Sequence, residues 1–229
     1  MKFRALLAEF IGTFSLIFVG VLVISHLGDA PNHLGLLGIA IGHGLAIACL
    51  ASATAAVSGG HLNPAVTFGL LVARKIDIVN AIGYIVAQCL GGIIAGYAAI
   101  YIWAEKGAEI ATNGTPALMV GVTPTQGIVA EAIATFFLVF VVLGTAVDKR
   151  APKAGAWYIG MTITMGILAI GPLTGGALNP ARWIGSAVPG NTLVHAEVWT
   201  IGPFAGALLA GLVYSLFMEE RELAAAEKA

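Results

Sequence analysis

Six runs of this chain are apolar over about the twenty residues that a helix needs to cross a bilayer. They are Phe3–His26, Leu34–Val57, Ile78–Trp103, Gln126–Val147, Trp157–Gly171 and Val198–Met218, the fifth being the shortest. A single soluble core cannot hide so many long apolar segments. Composition agrees: 59% of the 229 residues are hydrophobic, only 10% are charged, and mean hydropathy is +0.93, whereas soluble domains are near a quarter charged. The expectation is an integral, multi-pass membrane protein bounded by lipid. A net charge of −1 without a basic tract argues against a nucleic-acid partner. Lys2 and Arg4 precede an apolar run too long for the core of a signal peptide. Cys49 and Cys89 fall inside the runs and read as small buried packing residues. No residue spacing calls for a metal or a cofactor.

Two shorter apolar pieces remain, Asn63–Ala73 and Asn179–Val188. Each opens on Asn-Pro soon after a Gly-Gly pair, and each is too short to span. Proline suits the first turn of a helix, where its missing N–H costs nothing. Both pieces therefore read as half-helices that enter the membrane and stop midway. Charge supports this topology. With six spans, Lys2, Arg4, Arg74, Lys75, Lys149, Arg150, Lys153, Arg221 and Lys228 all fall on one side, and only Lys106 falls on the other. The positive-inside rule makes the first side cytoplasmic and puts both termini there.

The chain also repeats itself. Ala8-Glu9-Phe10-Ile11-Gly12-Thr13-Phe14 answers Ala130-Glu131-Ala132-Ile133-Ala134-Thr135-Phe136, and Ser58–Val66 answers Thr174–Arg182. Gly91, Ala95 and Gly96 answer Gly206, Ala210 and Gly211. Three spans per repeat is an odd number, so the second half inserts upside down. The expected architecture is one all-α channel domain of inverted repeats, approximately 1–115 and 116–229, whose half-helices meet near the midplane from opposite faces. Irregular backbone at that depth persists only where it is buried in protein or lines a watery cavity.

The chemistry follows from that meeting point. Asn63 and Asn179 would each bring an amide donor to the half-helix N-termini, where two helix dipoles concentrate positive potential. That arrangement orients water and repels protons and cations. Arg182 lies one turn beyond Asn179, and a guanidinium inside a membrane segment is expensive unless it faces water or acceptors. It reads as a pore-lining donor. Glu9 and Glu131, related by the repeat, read as braces accepting backbone N–H bonds from the loops before the half-helices. His61 is placed at the cytoplasmic side of the pore, while His26, His33 and His195 read as solvated loop residues.

Paired Asn-Pro-Ala motifs (Asn63-Pro64-Ala65 and Asn179-Pro180-Ala181), the second running into Arg182, resemble the aquaporins, or major intrinsic proteins. So does Ala-Glu-x-x-x-Thr-Phe opening each half. The resemblance spans essentially the whole chain. It implies a right-handed bundle of six transmembrane helices plus two half-helices, and a homotetramer with one pore per subunit. It also implies a four-residue selectivity filter, which counting from the motifs places at His43, Ile167, Gly176 and Arg182. Strict water channels of the family usually carry Phe and then His at the first two positions. Glycerol facilitators usually carry two aromatics and an Asp after the Arg, where this chain has Trp183. The His/Ile/Gly/Arg set is more similar to the tonoplast (vacuolar) aquaporins, members of which pass ammonia, urea or hydrogen peroxide as well as water.

The expected function is thus a passive channel for water and small neutral solutes that excludes protons and ions. The alternatives are a glycerol-type facilitator and, with only two carboxylates inside the spans, a coupled transporter. No catalytic cluster suggests an enzyme. The short loops and lean termini equally suit a prokaryotic membrane, and the cell membrane is expected ahead of the vacuolar membrane.

Overall fold

The computed structural model describes residues 2–27, 35–151 and 153–218. Among these, helices run in the order α1 (Phe3–Leu27), α2 (Gly35–Ser58), α3 (Pro64–Val72), α4 (Ile78–Ile102), α5 (Glu109–Asn113), α6 (Pro124–Val142), α7 (Gly155–Thr174), α8 (Pro180–Ala187) and α9 (Ala196–Val213). α6 and α9 each continue as one π-helical turn, Leu143–Val147 and Tyr214–Met218. Six of these helices are long and apolar enough to cross a bilayer, and α3 and α8 are the two short ones that begin at Asn-Pro. The fifth span outruns its expected end at Gly171. Pro172 sits so near the helix C-terminus that its missing N–H removes one bond only, and Gly175, left-handed at φ 82°, closes the helix by donating to the Gly171 carbonyl.

α1 packs on α2 and α4, α6 packs on α7 and α9, and α2 meets α7 between the two sets. The half-helices cross over, α3 lying on α9 and α8 on α4. Lipid gives little apolar drive to such packing, so close approach of backbones takes its place. At Gly44 and Gly160, α2 and α7 touch so closely that a Cβ on Gly44 would stand 2.7 Å from the Gly160 carbonyl. Gly91 on α4 and Gly206 on α9 leave no room for a side chain against the backbone of α1 at Phe10 and of α6 at Ala132. Outward faces are apolar instead. Ile82, Val86, Leu90 and Ile94 recur every four residues on α4, and all are exposed.

Two sequence expectations need correction, the burial of the cysteines and the place of His26. Cys49 is exposed and Cys89 is half-buried. A span that is apolar all round carries no period to separate a lipid-facing from a core-facing position. His26 is not a loop residue: it lies in the last turn of α1, bonded through Nδ1 to the Leu22 carbonyl and set edge-on to Trp103 at 4.2 Å. His195 is an exposed loop residue, as expected, immediately before α9 and left-handed at φ 55° beside Glu197. His33, Arg221, Lys228 and the first residue of the run Leu34–Val57 lie outside the described residues.

Replacing Gly206 by Val would drive a branched side chain into the α6 backbone. Overpacking of this kind costs about 1–3 kcal/mol, so the expected outcome is a lower unfolding temperature in detergent and less monodisperse protein than wild type.

Candidate pore and its filter

Each half-helix is seated by a buried carboxylate on a neighbouring span. Glu9, on α1, accepts from the Ser58 hydroxyl (2.6 Å) and from the backbone N–H groups of His61 (3.0 Å) and Leu62 (2.7 Å). Glu131, on α6, accepts from the Thr174 hydroxyl (2.7 Å) and the N–H groups of Ala177 (2.9 Å) and Leu178 (2.7 Å). Both carboxylates are fully buried. The loop carbonyls are tied as well: Tyr84 Oη donates to Ser58 O and Trp199 Nε1 donates to Thr174 O. Gln88 adds a donor to Glu9 and a second to Thr67.

These loops bend sharply. Leu62 and Leu178 both stand at φ 53°, a left-handed region that costs a branched residue about 1–2 kcal/mol. The carboxylate bond to each leucine's N–H offsets that cost. Immediately after them, Asn63 and Asn179 are extended and cap α3 and α8. Asn63 Oδ1 accepts from Ala65 N (2.8 Å), and Asn179 Oδ1 accepts from Ala181 N (2.9 Å) and Arg182 N (3.2 Å). Pro64 and Pro180 take the first helical position, and Ala65 and Ala181 are wholly buried behind them. Asn63 Nδ2 donates across to Leu178 O (2.9 Å), and Asn179 Nδ2 donates back to Leu62 O (3.0 Å). The half-helices thus meet N-terminus to N-terminus. An amide nitrogen has two hydrogens, so each asparagine keeps one N–H beyond this mutual clasp.

A cavity of about 430 Å³ passes this point. α3 runs from it to one mouth, where Lys75 and Lys149 line the cavity with His61. α8 runs the opposite way, and one turn along it Arg182 joins His43, Ile167 and Gly176 in the lining. Between the mouths the wall is apolar, including Leu16, Val66, Leu138, Val142 and Ile163. Arg182 is 5% exposed, with Nη1 donating to Gly114 O at 2.9 Å. His43 is 3% exposed, and its Nδ1 is bonded to Ile39 O at 2.8 Å. His61 is bonded through Nδ1 to Thr67 Oγ1 at 3.1 Å and lies edge-on to Tyr84. Glu9 and Glu131 are absent from the lining. Trp183 is absent too, stacking on Trp199 at 6.1 Å.

The model matching residues 1–214 of this chain describes the major intrinsic proteins. The chain belongs to that family. An aquaporin TIP2-3 of Zea mays is 41% identical to it over 92% of this chain and 86% of its own length. An aquaporin PIP1-6 of the same species is 38% identical, with 94% and 77% covered. Among solved structures, the aquaglyceroporin of Plasmodium falciparum superposes with a TM-score of 0.85, covering 94% of this chain and 96% of that one, at 24% identity. That likeness shows the major intrinsic protein fold.

Several residues at the pore escaped sequence reasoning. Gly59, Gly60 and Ala177 line it, and Ser58, Thr174, Tyr84 and Trp199 hold the loops. Ser58 and Thr174 were visible as hydroxyl residues at matching places in the repeat. α5 and the turn after it are a further surprise. Ser25 donates to Ile110 O and Thr112 to Gly190 O, which secures the strap whose Gly114 carbonyl holds Arg182.

At the mouth with the lysines, Asp148 accepts from Arg150 and from Tyr214 Oη (2.7 Å), and Arg150 reaches Met218 O. Bonds from the Arg150 side chain, then from the Arg150 N–H and Tyr214, hold the Asp148 carboxyl well below the usual carboxylate range. A depressed pKa means the clasp contributes above the ordinary value of about 3.9 and is lost as pH falls below it. Trypsin cleavage after Arg150 is expected to stay slow from about pH 6 to 8 in wild type and to accelerate in Asp148→Asn. In the other loop, Glu131→Gln turns an acceptor into a donor facing donors. Leaving a buried partner unmet costs about 1–3 kcal/mol, seen as a lower unfolding temperature and faster amide exchange at Ala177 and Leu178.

Proposed function

We propose that the chain is a passive channel that passes water and, with it, ammonia, urea or hydrogen peroxide, while excluding protons and ions. One observation carries this: two opposed half-helix N-termini face a single cavity, each with an asparagine N–H to spare. Water entering from either mouth turns its oxygen to these donors. The positive ends of both helix dipoles, roughly half a charge each, oppose any cation at that point.

Selectivity among neutral molecules falls to His43, Ile167, Gly176 and Arg182, with Asn63, Pro64, Ala65, Asn179, Pro180 and Ala181 forming the central barrier. Arg182 supplies donors and a fixed charge, Ile167 an apolar wall, and Gly176 only backbone. His61, Glu9 and Glu131 support the loops. A coupled transporter is disfavoured because both intramembrane carboxylates are consumed by loop donors and neither lines the cavity. A glycerol-type facilitator lacks support at the filter, where none of the four residues is Phe, Tyr or Trp.

Topology and assembly belong to the same reading. Lys2, Arg74 and Lys75 line one groove, and Lys75 shares the pore mouth with Lys149, so that end is taken as cytoplasmic, with both termini and the two halves of the domain placed accordingly. An apolar groove of about 630 Å³ between α6 and α7, lined by Val129, Ile133, Phe137 and Met165, and a ridge of Leu37, Ile41 and Leu45 on α2 are outward apolar faces. The homotetramer is proposed on membership of the family, with such faces meeting lipid or a neighbouring copy. The TIP class of the similar plant proteins points to a vacuolar-type membrane rather than the cell membrane.

Proteoliposomes tested by stopped-flow light scattering should pass water well above empty vesicles, with ammonia or urea following and glycerol lagging. Arg182→Ala should raise urea and glycerol passage several-fold. Glycerol flux matching that of water in wild type would favour the facilitator.

A further inference from the structure

Gly20, on α1, is buried and does not line the cavity, yet it stands directly behind the filter imidazole. A Cβ built on it would overlap His43 Nε2, with Cδ2 at 3.0 Å and Cε1 at 3.1 Å. All three atoms of the outer ring edge therefore fill the space of one missing methyl. The opposite ring edge is tethered by the bond from Nδ1 to Ile39 O, one turn back on α2. A carbonyl only accepts, so Nδ1 is the donor and Nε2 of the neutral ring keeps its lone pair. Nε2 is buried without a hydrogen-bond partner among the described residues. It is lodged in a notch of α1 and does not reach out to a protein donor.

The other half of the chain shows what the notch is for. Aligning Glu9 with Glu131 puts Val142 in the place of Gly20, and aligning Gly44 with Gly160 puts Ile159 in the place of His43. Val142 and Ile159 both line the cavity. A valine stands where the facing position holds an aliphatic, and a glycine stands where it holds the imidazole. The repeat thus leaves out a side chain where the facing position carries a flat ring that reaches further than an aliphatic.

We infer that Gly20 is a positioning residue for the filter, setting how far the His43 ring stands back from Arg182, Ile167 and Gly176. The inference rests on the reading of His43 as a filter residue. A side chain at position 20 displaces a ring whose other edge is tethered, and the open side is the lumen. The opening narrows, and molecules wider than water lose passage first. Overpacking elsewhere in the protein would not discriminate among solutes.

The test is a double-mutant cycle in proteoliposomes with wild type, Gly20→Ala, His43→Ala and the double variant. Water, ammonia and urea permeability are measured per reconstituted channel. Gly20→Ala should lower the ratio of urea or ammonia to water permeability several-fold, or water permeability itself if wild type passes water alone. In the His43→Ala background, Gly20→Ala should change nothing. An equal effect in both backgrounds, or none in either, overturns the inference. If His43→Ala alone leaves the ratio at its wild-type value, the filter reading fails and the inference with it. A changed ratio in His43→Ala with an unchanged one in Gly20→Ala sinks the inference alone. Should Gly20→Ala fold poorly, recovery of folded protein in the double variant identifies the ring as the clash and supports the inference. Poor folding in both backgrounds overturns it.

Discussion

Backbone that leaves helical geometry at membrane depth must find its hydrogen bonds inside the protein, because lipid supplies none. Here two carboxylates meet that demand. Glu9 and Glu131 each accept two successive-loop N–H groups and a hydroxyl, with nearly the same distances in both halves. Without them Leu62 and Leu178 would have no reason to stay left-handed, and the asparagines would not be delivered to the half-helix N-termini. A buried carboxylate is costly in apolar surroundings, and only donors of this number and geometry make it tolerable.

From that seating the rest follows in order. Capping commits each asparagine's oxygen, and the exchange between Asn63, Leu178, Asn179 and Leu62 commits one amide hydrogen apiece. What remains is one donor from each side at the crossing of two helix dipoles. The proposed barrier to cations is thus made by backbone and capping groups, and it is symmetric. The proposed filter is not symmetric. Arg182 has Val66 as its counterpart in the first half and His43 has Ile159 in the second, so each distinctive filter side chain belongs to one half alone. In the proposed channel, exclusion of charge and choice among neutral solutes are therefore physically separate tasks.

Much of this was legible in the residues. Span number, half-helices and the repeat could be read because apolar length, proline position and repeated wording are local properties. Glu9 and Glu131 could be paired with the loops because charge in a span demands partners. Lateral facts were hidden. Cys49 reads like a core residue because lipid and core are equally apolar. The strap from Ile110 to Gly114 could not be foreseen, since its role depends on a backbone carbonyl that any residue possesses. Gly20 reads as one more packing glycine among 30, and only the position of the His43 ring distinguishes it.

The central claim is that opposed half-helix N-termini let water through while stopping charge. Proteoliposomes loaded with a pH-sensitive dye test it directly when water flux and proton flux are followed in the same preparation. Water permeability is expected far above that of empty vesicles and proton flux equal to theirs, with a membrane potential applied in either direction. Proton flux that rises with the amount of channel protein would contradict it.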